Sequence, residues 1–400
     1  MDLNALLGRV IELGGSDLHL KVASPAMARV DGELVPLDQR LISESDLETL
    51  ITLVTELTPA KREGFYTHGE LDTAYMAEGL GRFRVNGFRQ RGTISFAFRF
   101  IPKEIPSFEK LGLPKGVGIL ADEHRGLILV TGATGSGKST TLAAMINSIN
   151  RSRKHHIVTI EDPIEFVHDD WGCIVNQREV GIDTESYSEG LRRVLRQDPD
   201  VILIGELRDE ESAKAALQAS ESGHLVLSTM HTLDTAETIG RLVEFFPPAK
   251  QVVVRQILAG VLRGVISQRL VPKVGGGRVA AVEVMVSTAR IADLVREGRS
   301  EEITEAIEDG DFHNMQSFSQ HLVQLVLDGL VDEETAGNSA SNRHDFEIAI
   351  QQALRRKRVA ADGGGAAVDF EDLAPEAPAE EPRGEEEENE VGLRLASTDK

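Results

Sequence analysis

Residues 127–150 of this 400-residue chain read LILVTGATGSGKSTTLAAMINSIN, and they carry its most specific motif. Gly132, Gly137, Lys138 and Ser139 fit the pattern G-x-x-x-x-G-K-[ST], in which a glycine-rich loop binds phosphate groups. An apolar run precedes the loop and a helical pattern follows it, which is the context that the pattern requires. The stretch therefore predicts a buried strand, a phosphate-binding loop and a helix in succession.

The loop residues predict a site for ATP and Mg²⁺. Glycines let the backbone wrap around phosphates so that successive N–H groups point inward, and the helix N-terminus adds positive potential. Lys138 can reach the outer phosphates, and the hydroxyl of Ser139 can bind Mg²⁺. The predicted nucleotide-binding residues of the loop are Gly132, Ala133, Thr134, Gly135, Ser136, Gly137, Lys138, Ser139 and Thr140.

Three further apolar segments follow this loop, and each of them predicts another strand. They are HIVTIED (156–162), VILIGE (201–206) and HLVLSTMHT (224–232). Their runs of Ile, Val and Leu do not alternate with polar residues, which is typical of strands buried on both faces of a parallel sheet. With helical segments between them, they predict an α/β core over residues 116–290.

Composition and apolar spacing divide much of the remaining chain into three segments. The segment 101–115 is rich in proline and glycine, which predicts a linker. Residues 291–357 have helical patterns and predict a small C-terminal bundle. The final segment, 358–400, is strongly acidic, with 13 acidic and 3 basic residues from position 361 onward, and we expect it to be disordered.

The first hundred residues predict a separate α+β domain. In the segment GRFRVNGFRQRGTISFAFRFIP, residues 81–102, apolar and polar side chains alternate. Alternation places Phe83 and Val85 on one face of a strand and Arg82 and Arg84 on the other. The pattern predicts an antiparallel sheet with one solvated face.

Carboxylates follow two of the predicted core strands. Glu161, Asp162 and Glu165 lie in IEDPIEF, and Glu206 follows VILIG. Open α/β sheets bind their ligands at the carboxyl ends of the strands, so these groups are expected near the γ-phosphate. Glu206 could hold a water bound to Mg²⁺ or orient the attacking water.

Two histidines flank the last predicted core strand. His224 begins this segment and His231 follows it. A single histidine in such a position is as often structural as functional. If His231 lies at the same sheet edge as the loop, it could sense whether the γ-phosphate is present.

Composition excludes several classes of protein. The net charge of −22 and the 4% aromatic content argue against a nucleic-acid partner, which needs basic tracks or stacking aromatics. Cys173 is the one cysteine, so neither an intrachain disulfide nor a zinc site of several thiolates is expected. No apolar run reaches the roughly 20 residues that span a bilayer. We therefore expect a soluble, cytosolic protein that reaches membranes only through partners.

Four motifs together resemble the secretion-type ATPase superfamily, most closely the PilT-like motors that retract type IV pili. GATGSGKSTTLA is similar to the Walker A motif of these motors, and TIEDPIEFVH to their Asp box. LIGELRD resembles their atypical Walker B motif with Glu in place of Asp, and GHLVLSTMHT their His box. ELGGSDLHL resembles the start of their N-terminal PAS-like domain. The resemblance extends from the N-terminus to about residue 357.

This resemblance implies a hexameric ring of subunits, each with a PAS-like domain and a RecA-like P-loop core, and ATP bound between the two. Lys138 and Ser139 would contact the phosphates and Mg²⁺, and Glu165 and Glu206 would be the catalytic carboxylates. The sequence leaves open which glutamate is the general base. His224 and His231 fall on the His-box positions.

Family members also bring arginines from the N-terminal domain to the nucleotide. The candidates here are Arg82, Arg84 and Arg91, of which alternation places the first two on a shared face. The resemblance further implies a motor at the cytoplasmic face of the inner membrane, where hydrolysis moves domains and turns a platform protein of the pilus.

Three alternatives to a retraction motor are compatible with the sequence. In the first, the chain is a pilus-assembly or type II secretion ATPase. These ATPases share the motifs, but they generally carry a Cys-rich zinc insertion and a longer N-terminal extension. ARIADLVREG, residues 289–298, is closer to the accessory PilU-like paralogues than to the AIRNLI-like segment of retraction motors, so a second motor ATPase could be a partner. A nucleic-acid translocase and a P-loop protein that binds without hydrolysis are the other two.

Overall fold

The computed structural model describes residues 1–101 and 104–361, and for residues 358–361 it describes the backbone alone. Residues 1–353 form one compact unit. Two residues of the predicted linker, 102 and 103, and nearly all of the predicted acidic tail, 362–400, lie outside the described residues.

The N-terminal region forms a six-stranded antiparallel sheet in the order β3-β2-β1-β6-β5-β4. Its strands are β1 (Asp17–Lys21), β2 (Met27–Val30), β3 (Glu33–Pro36), β4 (Glu70–Ala77), β5 (Gly81–Gln90) and β6 (Thr93–Ile101). The helices of this region are α1 (Leu3–Glu12), α2 (Glu44–Val54) and α3 (Pro59–His68). Buried side chains of these helices and of the sheet form one apolar cluster.

Strand β5 shows the alternation that its sequence predicts. Phe83 and Val85 are buried in the apolar cluster, whereas Arg84 is exposed and Arg82 is partly buried. In the register between β5 and β6, Arg84 lies opposite Arg99. The face of the sheet away from the apolar cluster therefore carries a group of arginines.

The core is built on a seven-stranded sheet in the order β13-β12-β7-β11-β10-β8-β9. Neighbouring strands are parallel except for the edge pair β12 and β13. The strands are β7 (Gly126–Thr131), β8 (His156–Glu161), β9 (Ile174–Glu179), β10 (Val201–Ile204), β11 (Leu225–Met230), β12 (Leu262–Pro272) and β13 (Arg278–Val286). The prediction of an α/β fold is confirmed.

Helices cover both faces of this sheet. They are α4 (Phe108–Leu111), α5 (Lys115–Ala121), α6 (Lys138–Ser152), α7 (Tyr187–Val194), α8 (Glu210–Glu221), α9 (Thr235–Glu244) and α10 (Pro248–Val261). Along β7, Leu127 and Leu129 belong to one apolar cluster, and Ile128 and Val130 belong to another. Successive side chains of a strand point to opposite faces, so the strand is buried on both sides.

The chain continues through α11 (Ala289–Glu297), α12 (Ile303–Glu308), α13 (Phe318–Leu327), α14 (Glu333–Ser339) and α15 (Arg343–Ala361). Two short 3₁₀ turns lie at Ser300–Glu302 and Asp311–His313. Along the part of the chain that the structure describes, no helix is both long enough and apolar enough to cross a membrane.

The first of these C-terminal helices share their core with the sheet. Ile291, Leu294 and Ile307 belong to the same apolar cluster as side chains of β7 and β10. His321 on α13 accepts a hydrogen bond from the backbone N–H of Val282 on β13, at 2.9 Å. Helices α11, α12 and α13 therefore pack directly on the core sheet.

Gly264 on β12 provides a test of how closely the core is packed. A Cβ at this position would lie 2.4 Å from a methyl carbon of the buried Leu120 and 2.8 Å from the carbonyl oxygen of Met285. We expect Gly264→Ala to lower the free energy of unfolding by about 1–3 kcal/mol, because the added methyl overfills the core. Denaturant unfolding measures this loss.

Gly260→Ala is the matched control for this substitution. Gly260 lies in α10, and a Cβ there would meet no atom within 4 Å. We expect this variant to gain about 0.5–1 kcal/mol from helix propensity. A Gly264→Ala variant as stable as the wild type would contradict the packing described here.

Candidate active site

The phosphate-binding loop requires glycine at three positions. Gly132, Gly135 and Gly137 have φ angles of 139°, 80° and 94°, which favour glycine. A Cβ at Gly132 would also lie 2.3 Å from the carbonyl oxygen of Gln268 on the neighbouring strand β12. The loop therefore turns tightly against the sheet. Its backbone N–H groups lie next to the N-terminus of α6, where they can bind phosphate.

Lys138, the first residue of α6, folds back over this loop. Its Nζ donates hydrogen bonds to the carbonyl oxygens of Gly132, at 2.8 Å, and Ala133, at 3.0 Å. Burial lowers the pKa of Lys138, while the negative charges of Glu206 and Glu165 oppose this shift. Both predicted catalytic carboxylates are therefore close enough to interact with the lysine charge.

A cleft of about 500 Å³ lies over the loop. This volume falls within the range of small-molecule sites. The loop, the carboxyl ends of three core strands, and β5 and β6 of the N-terminal sheet all contribute to its wall. Charged or titratable residues that line the cleft are Arg84, Arg99, Lys138, Glu161, Asp162, Glu165, His168, Tyr187, Glu206, His231 and Arg278.

Glu206 lies at the centre of a charged group at the end of β10. Its Oε2 is 3.3 Å from Nε2 of His231, and its Oε1 accepts a hydrogen bond from Arg208. Burial opposes ionisation of Glu206, but the hydrogen bonds and charges of Arg208 and His231 outweigh burial and lower its pKa. Glu206 is therefore an ionised carboxylate at neutral pH.

Gly205 precedes Glu206, and a side chain at this position would force neighbouring atoms to move. A Cβ there would lie 2.6 Å from the hydroxyl oxygen of Tyr187. The carbonyl oxygen of Gly205 accepts a hydrogen bond from the Thr229 hydroxyl on β11, at 2.7 Å. This bond joins the ends of two strands and places Glu206 beside His231.

The two histidines lie at opposite ends of the same strand. His231 follows β11 at the cleft, where 53% of its side chain is exposed. His224 precedes β11, and the six-residue strand separates the two by roughly 20 Å. His224 instead contacts Ser222 and the carbonyl oxygen of Ala219. Within this chain, the structure does not bring His224 to the predicted site.

The Asp-box loop, residues 162–168, presents carboxylates with different surroundings. Glu161, at the end of β8, accepts hydrogen bonds from the hydroxyl of Thr159, at 2.6 Å, and from Gln177, at 3.1 Å. Burial raises the pKa of Glu161, and these hydrogen bonds oppose the shift. Glu165 is exposed and lines the cleft. Asp162 is exposed and lines the cleft as well, but the charge of Glu165 acts on Lys138, which places Glu165 near the lysine that faces the phosphates.

The predicted arginines occupy three different places. Arg84 lines the cleft, as expected. Arg82 forms an ion pair with the buried Glu179, at the end of β9, and does not line the cleft. Arg91 lies in the β5–β6 turn, about 23 Å along the strand from Arg84, and is likewise away from the cleft.

Sequence reasoning missed Arg99, which lines the cleft beside Arg84. Its Nε donates a hydrogen bond to Asp17 at 2.8 Å, and this fixes the guanidinium. The alternation of β6 carried the signal, since Arg99 is polar between Phe98 and Phe100.

The donor groups of the cleft fit a nucleotide with Mg²⁺. Ser139 and Glu206 both line the cleft, and these are oxygen donors of the type that Mg²⁺ prefers. Within residues 1–101 and 104–361, no group of three or more His, Cys, Asp or Glu could hold a metal ion. Phosphate oxygens and water could supply the remaining ligands of a divalent ion here. The buried hydroxyl of Ser136, which has no hydrogen-bond partner among the described residues, leaves a further polar group in the loop.

Comparison with known proteins assigns this chain to a family. Residues 2–335 match the family described as Type II/IV secretion system protein. The chain belongs to this family. It is 44% identical to the type IV pilus retractation ATPase PilT of Pseudomonas aeruginosa, over 86% of this chain and 100% of that protein. It is 39% identical to the type IV pilus ATPase PilU of the same organism, over 88% of this chain and 92% of that protein.

A solved structure agrees with this assignment. The crystal structure of the pilus retraction motor PilT with bound ADP matches this family member with a TM-score of 0.81 and 43% identity. The match covers 87% of this chain and 99% of the PilT chain. The resemblance seen in the four sequence motifs therefore extends to the three-dimensional fold.

Lys138→Ala tests the phosphate site. The substitution removes a cation and its hydrogen bonds from the loop, so we expect the Kd for ATP to rise by about 100-fold. Isothermal titration with ATP and Mg²⁺ measures this change. Lys214→Ala, at an exposed position on α8, is the control and should bind ATP as the wild type does. Unchanged affinity in Lys138→Ala would refute the assignment.

Proposed function

We propose that this chain is an ATPase motor that drives retraction of type IV pili and so supports twitching motility. The observation that carries this proposal is the cleft itself. It brings together Lys138, Glu165, Glu206 and His231 from the core with Arg84 from the N-terminal sheet. Similarity to the retraction ATPase PilT, over 86% of this chain and 100% of that protein, supports retraction as the direction of the motor.

Nucleotide binding uses the loop and the residues facing it. Backbone N–H groups of residues 132–140 surround the phosphates, and Lys138 places its charge beside the outer ones. The Ser139 hydroxyl and Glu206, directly or through water, would hold Mg²⁺, which would supply positive charge to neutralise the phosphates. Arg84 and Arg99 supply positive charge from the opposite wall.

Hydrolysis uses the two glutamates in different roles. Arg208 and His231 lower the pKa of Glu206 and so make it a weak proton acceptor. A weak base is better suited to binding a metal ion and its water than to removing a proton. Asp162 and Glu165 are both exposed in the same cleft, and we assign the general base to Glu165 because its charge acts on Lys138, beside the outer phosphates.

The position of the arginines couples hydrolysis to movement. Arg84 and Arg99 belong to one sheet, and the phosphate-binding loop belongs to the other. Loss of the γ-phosphate removes negative charge that attracts both walls of the cleft, so the two sheets change their relative position. His231, beside Glu206, responds to the same loss of charge.

Assembly and partners complete the proposal. Six copies form a ring at the cytoplasmic face of the inner membrane and act on a platform protein of the pilus, in some cells beside a paralogous motor ATPase. Each subunit consists of a PAS-like domain (1–100), a linker (101–115), a RecA-like core (116–290) and a C-terminal helical region (291–357). Similarity to the PilT and PilU proteins supports this organisation.

Glu206→Gln separates binding from hydrolysis. The amide keeps the size of the side chain but removes the charge that holds the metal shell, so we expect kcat to fall by about 100-fold. The Kd for ATP should remain within about twofold of the wild type, because the loop is unchanged. Phosphate release and equilibrium binding measure the two quantities. Wild-type turnover would remove Glu206 from the chemistry.

The same variant tests the biological role in cells. A strain lacking this chain should form pili without twitching, and the wild-type sequence should restore the twitching zone. Glu206→Gln at equal expression should not restore it. A deletion strain without pili would indicate an assembly motor, and unchanged twitching would refute the retraction role.

Arg208→Gln tests the electrostatics of Glu206. Glu206 must be ionised, so activity is lost as the pH falls through its pKa. Arg208 lowers this pKa, and its removal raises it. We therefore expect the acid limb of the kcat profile to move to higher pH in Arg208→Gln. Arg192→Gln, which removes an exposed ion pair with Glu211, is the control and should leave the limb in place.

A further inference from the structure

Side chains of strand β9 form hydrogen bonds with the backbone of the Asp-box loop. Nε2 of Gln177 donates a hydrogen bond to the carbonyl oxygen of Phe166, at 2.8 Å. Oε1 of the same side chain accepts one from the backbone N–H of His168, also at 2.8 Å. Two backbone groups of the loop after Glu165 are thus fixed by a single amide.

Glu179 fixes the loop on the other side of Glu165. Its Oε2 accepts a hydrogen bond from the backbone N–H of Ile164, at 3.1 Å. Gln177 and Glu179 are two residues apart on β9, so their side chains leave the strand on the same face. The backbone is therefore held immediately before Glu165 and again after it, while the Glu165 side chain remains exposed at the cleft.

The same oxygen of Glu179 connects this loop to the N-terminal sheet. Oε2 also accepts a hydrogen bond from Arg82 on β5. The side chains of Arg82 and Glu179 are only 15% and 1% exposed. Among the described residues, Nε of Arg82 and Oε1 of Glu179 have no hydrogen-bond partner, although both atoms are buried. Such an incompletely paired buried ion pair contributes little net stability, because its desolvation is costly.

We propose that Glu179 is a positioning residue for ATP hydrolysis, which holds Glu165 in place and transmits the position of the N-terminal sheet to it through Arg82. The inference rests on the proposed role of Glu165 as general base. Glu179 does not line the cleft, so it acts through the loop and not by contact with the nucleotide. Movement of the N-terminal sheet displaces Arg82, and Glu179 passes this displacement to the backbone of Ile164.

Two double variants isolate the hydrogen bond to the loop at constant charge. Arg82→Met removes the cation in both. Glu179→Gln then leaves a neutral side chain whose carbonyl oxygen still accepts from Ile164, whereas Glu179→Met leaves a side chain of similar size that cannot accept. Comparing R82M/E179Q with R82M/E179M therefore changes the acceptor alone.

We expect kcat for ATP to be about tenfold lower in R82M/E179M than in R82M/E179Q, since a small displacement of a catalytic group slows the reaction strongly. The Kd for ADP should be the same in both, because the phosphate-binding loop is untouched. Release of labelled phosphate measures the slow turnover, and thermal unfolding confirms that both variants are folded. Equal kcat values would overturn the proposal.

Coupling to Glu165 distinguishes positioning from general destabilisation. In a Glu165→Gln background the tenfold difference should disappear, because Glu179 acts only through the residue that has been disabled. The same tenfold difference in that background would also overturn the proposal. If Glu165→Gln alone leaves kcat unchanged, the proposed general base is wrong. If it lowers kcat while the two double variants remain equal, only the role of Glu179 is wrong.

A further pair of variants tests whether Arg82 passes the position of the N-terminal sheet to the Asp-box loop. Glu179→Gln with Arg82 present keeps a hydrogen-bond link between the sheets, and R82M/E179Q removes it. We expect kcat to be severalfold lower in the second protein at equal ADP affinity. Equal kcat in these two proteins would show that Arg82 transmits nothing.

Glu283 supplies the matched control for loss of a buried carboxylate. It is 4% exposed on β13 and accepts a hydrogen bond from the backbone N–H of Thr235, at 2.9 Å. Glu283→Met and Glu283→Gln repeat the chemistry of the test away from the Asp-box loop. They should have equal kcat values per folded protein. A tenfold difference between them would mean that loss of any buried acceptor slows turnover, and the proposal would fail.

Discussion

The parallel arrangement of the core strands brings the residues of the site together. Strands that run in one direction end at one edge of the sheet, so the residues that follow them meet there even when they are far apart in sequence. Lys138, Glu206 and His231 follow three such strands and line one cleft. Burial of the strands on both faces fixes their positions, and Gly132 allows the loop to turn against β12 with no room for a side chain. The geometry of the site is therefore a consequence of sheet packing.

Local surroundings then give similar carboxylates different properties. Glu161 is partly buried and accepts hydrogen bonds from Thr159 and Gln177, and desolvation raises its pKa. Glu206 is paired with Arg208 and His231, which lower its pKa despite burial. Glu165 lies on a loop and is exposed to the cleft. Three glutamates that line one cleft thus differ in their surroundings: one is held by hydrogen bonds, one has a lowered pKa and is ionised at neutral pH, and one is exposed to water.

Contacts between the two sheets link this chemistry to movement. Arg84 and Arg99 face the phosphate-binding loop across the cleft, and Arg82 is bound to Glu179 behind the Asp-box loop. Arg84 and Arg99 are placed to respond to phosphate charge. Arg82 is connected, through Glu179, to the backbone next to Glu165. A motor needs such a connection in both directions, because hydrolysis must move the domains and domain position must control hydrolysis.

Local sequence patterns were enough to predict the phosphate-binding loop, the α/β class of the core and the alternating arginines of β5, since each depends on residues close together in the chain. It also pointed to Glu165, Glu206 and His231 through their position after apolar strands. Packing between distant elements places His224 at the far end of β11, pairs Arg82 with Glu179 and brings Arg99 to the cleft, and no local pattern predicted these three contacts. The positioning side chains of β9 were equally hidden, because IVNQRE has few apolar residues and its hydrogen bonds go to a loop several residues away. Local patterns specify which element a residue belongs to, whereas pairing between distant elements depends on how those elements pack, and a linear sequence does not display that packing.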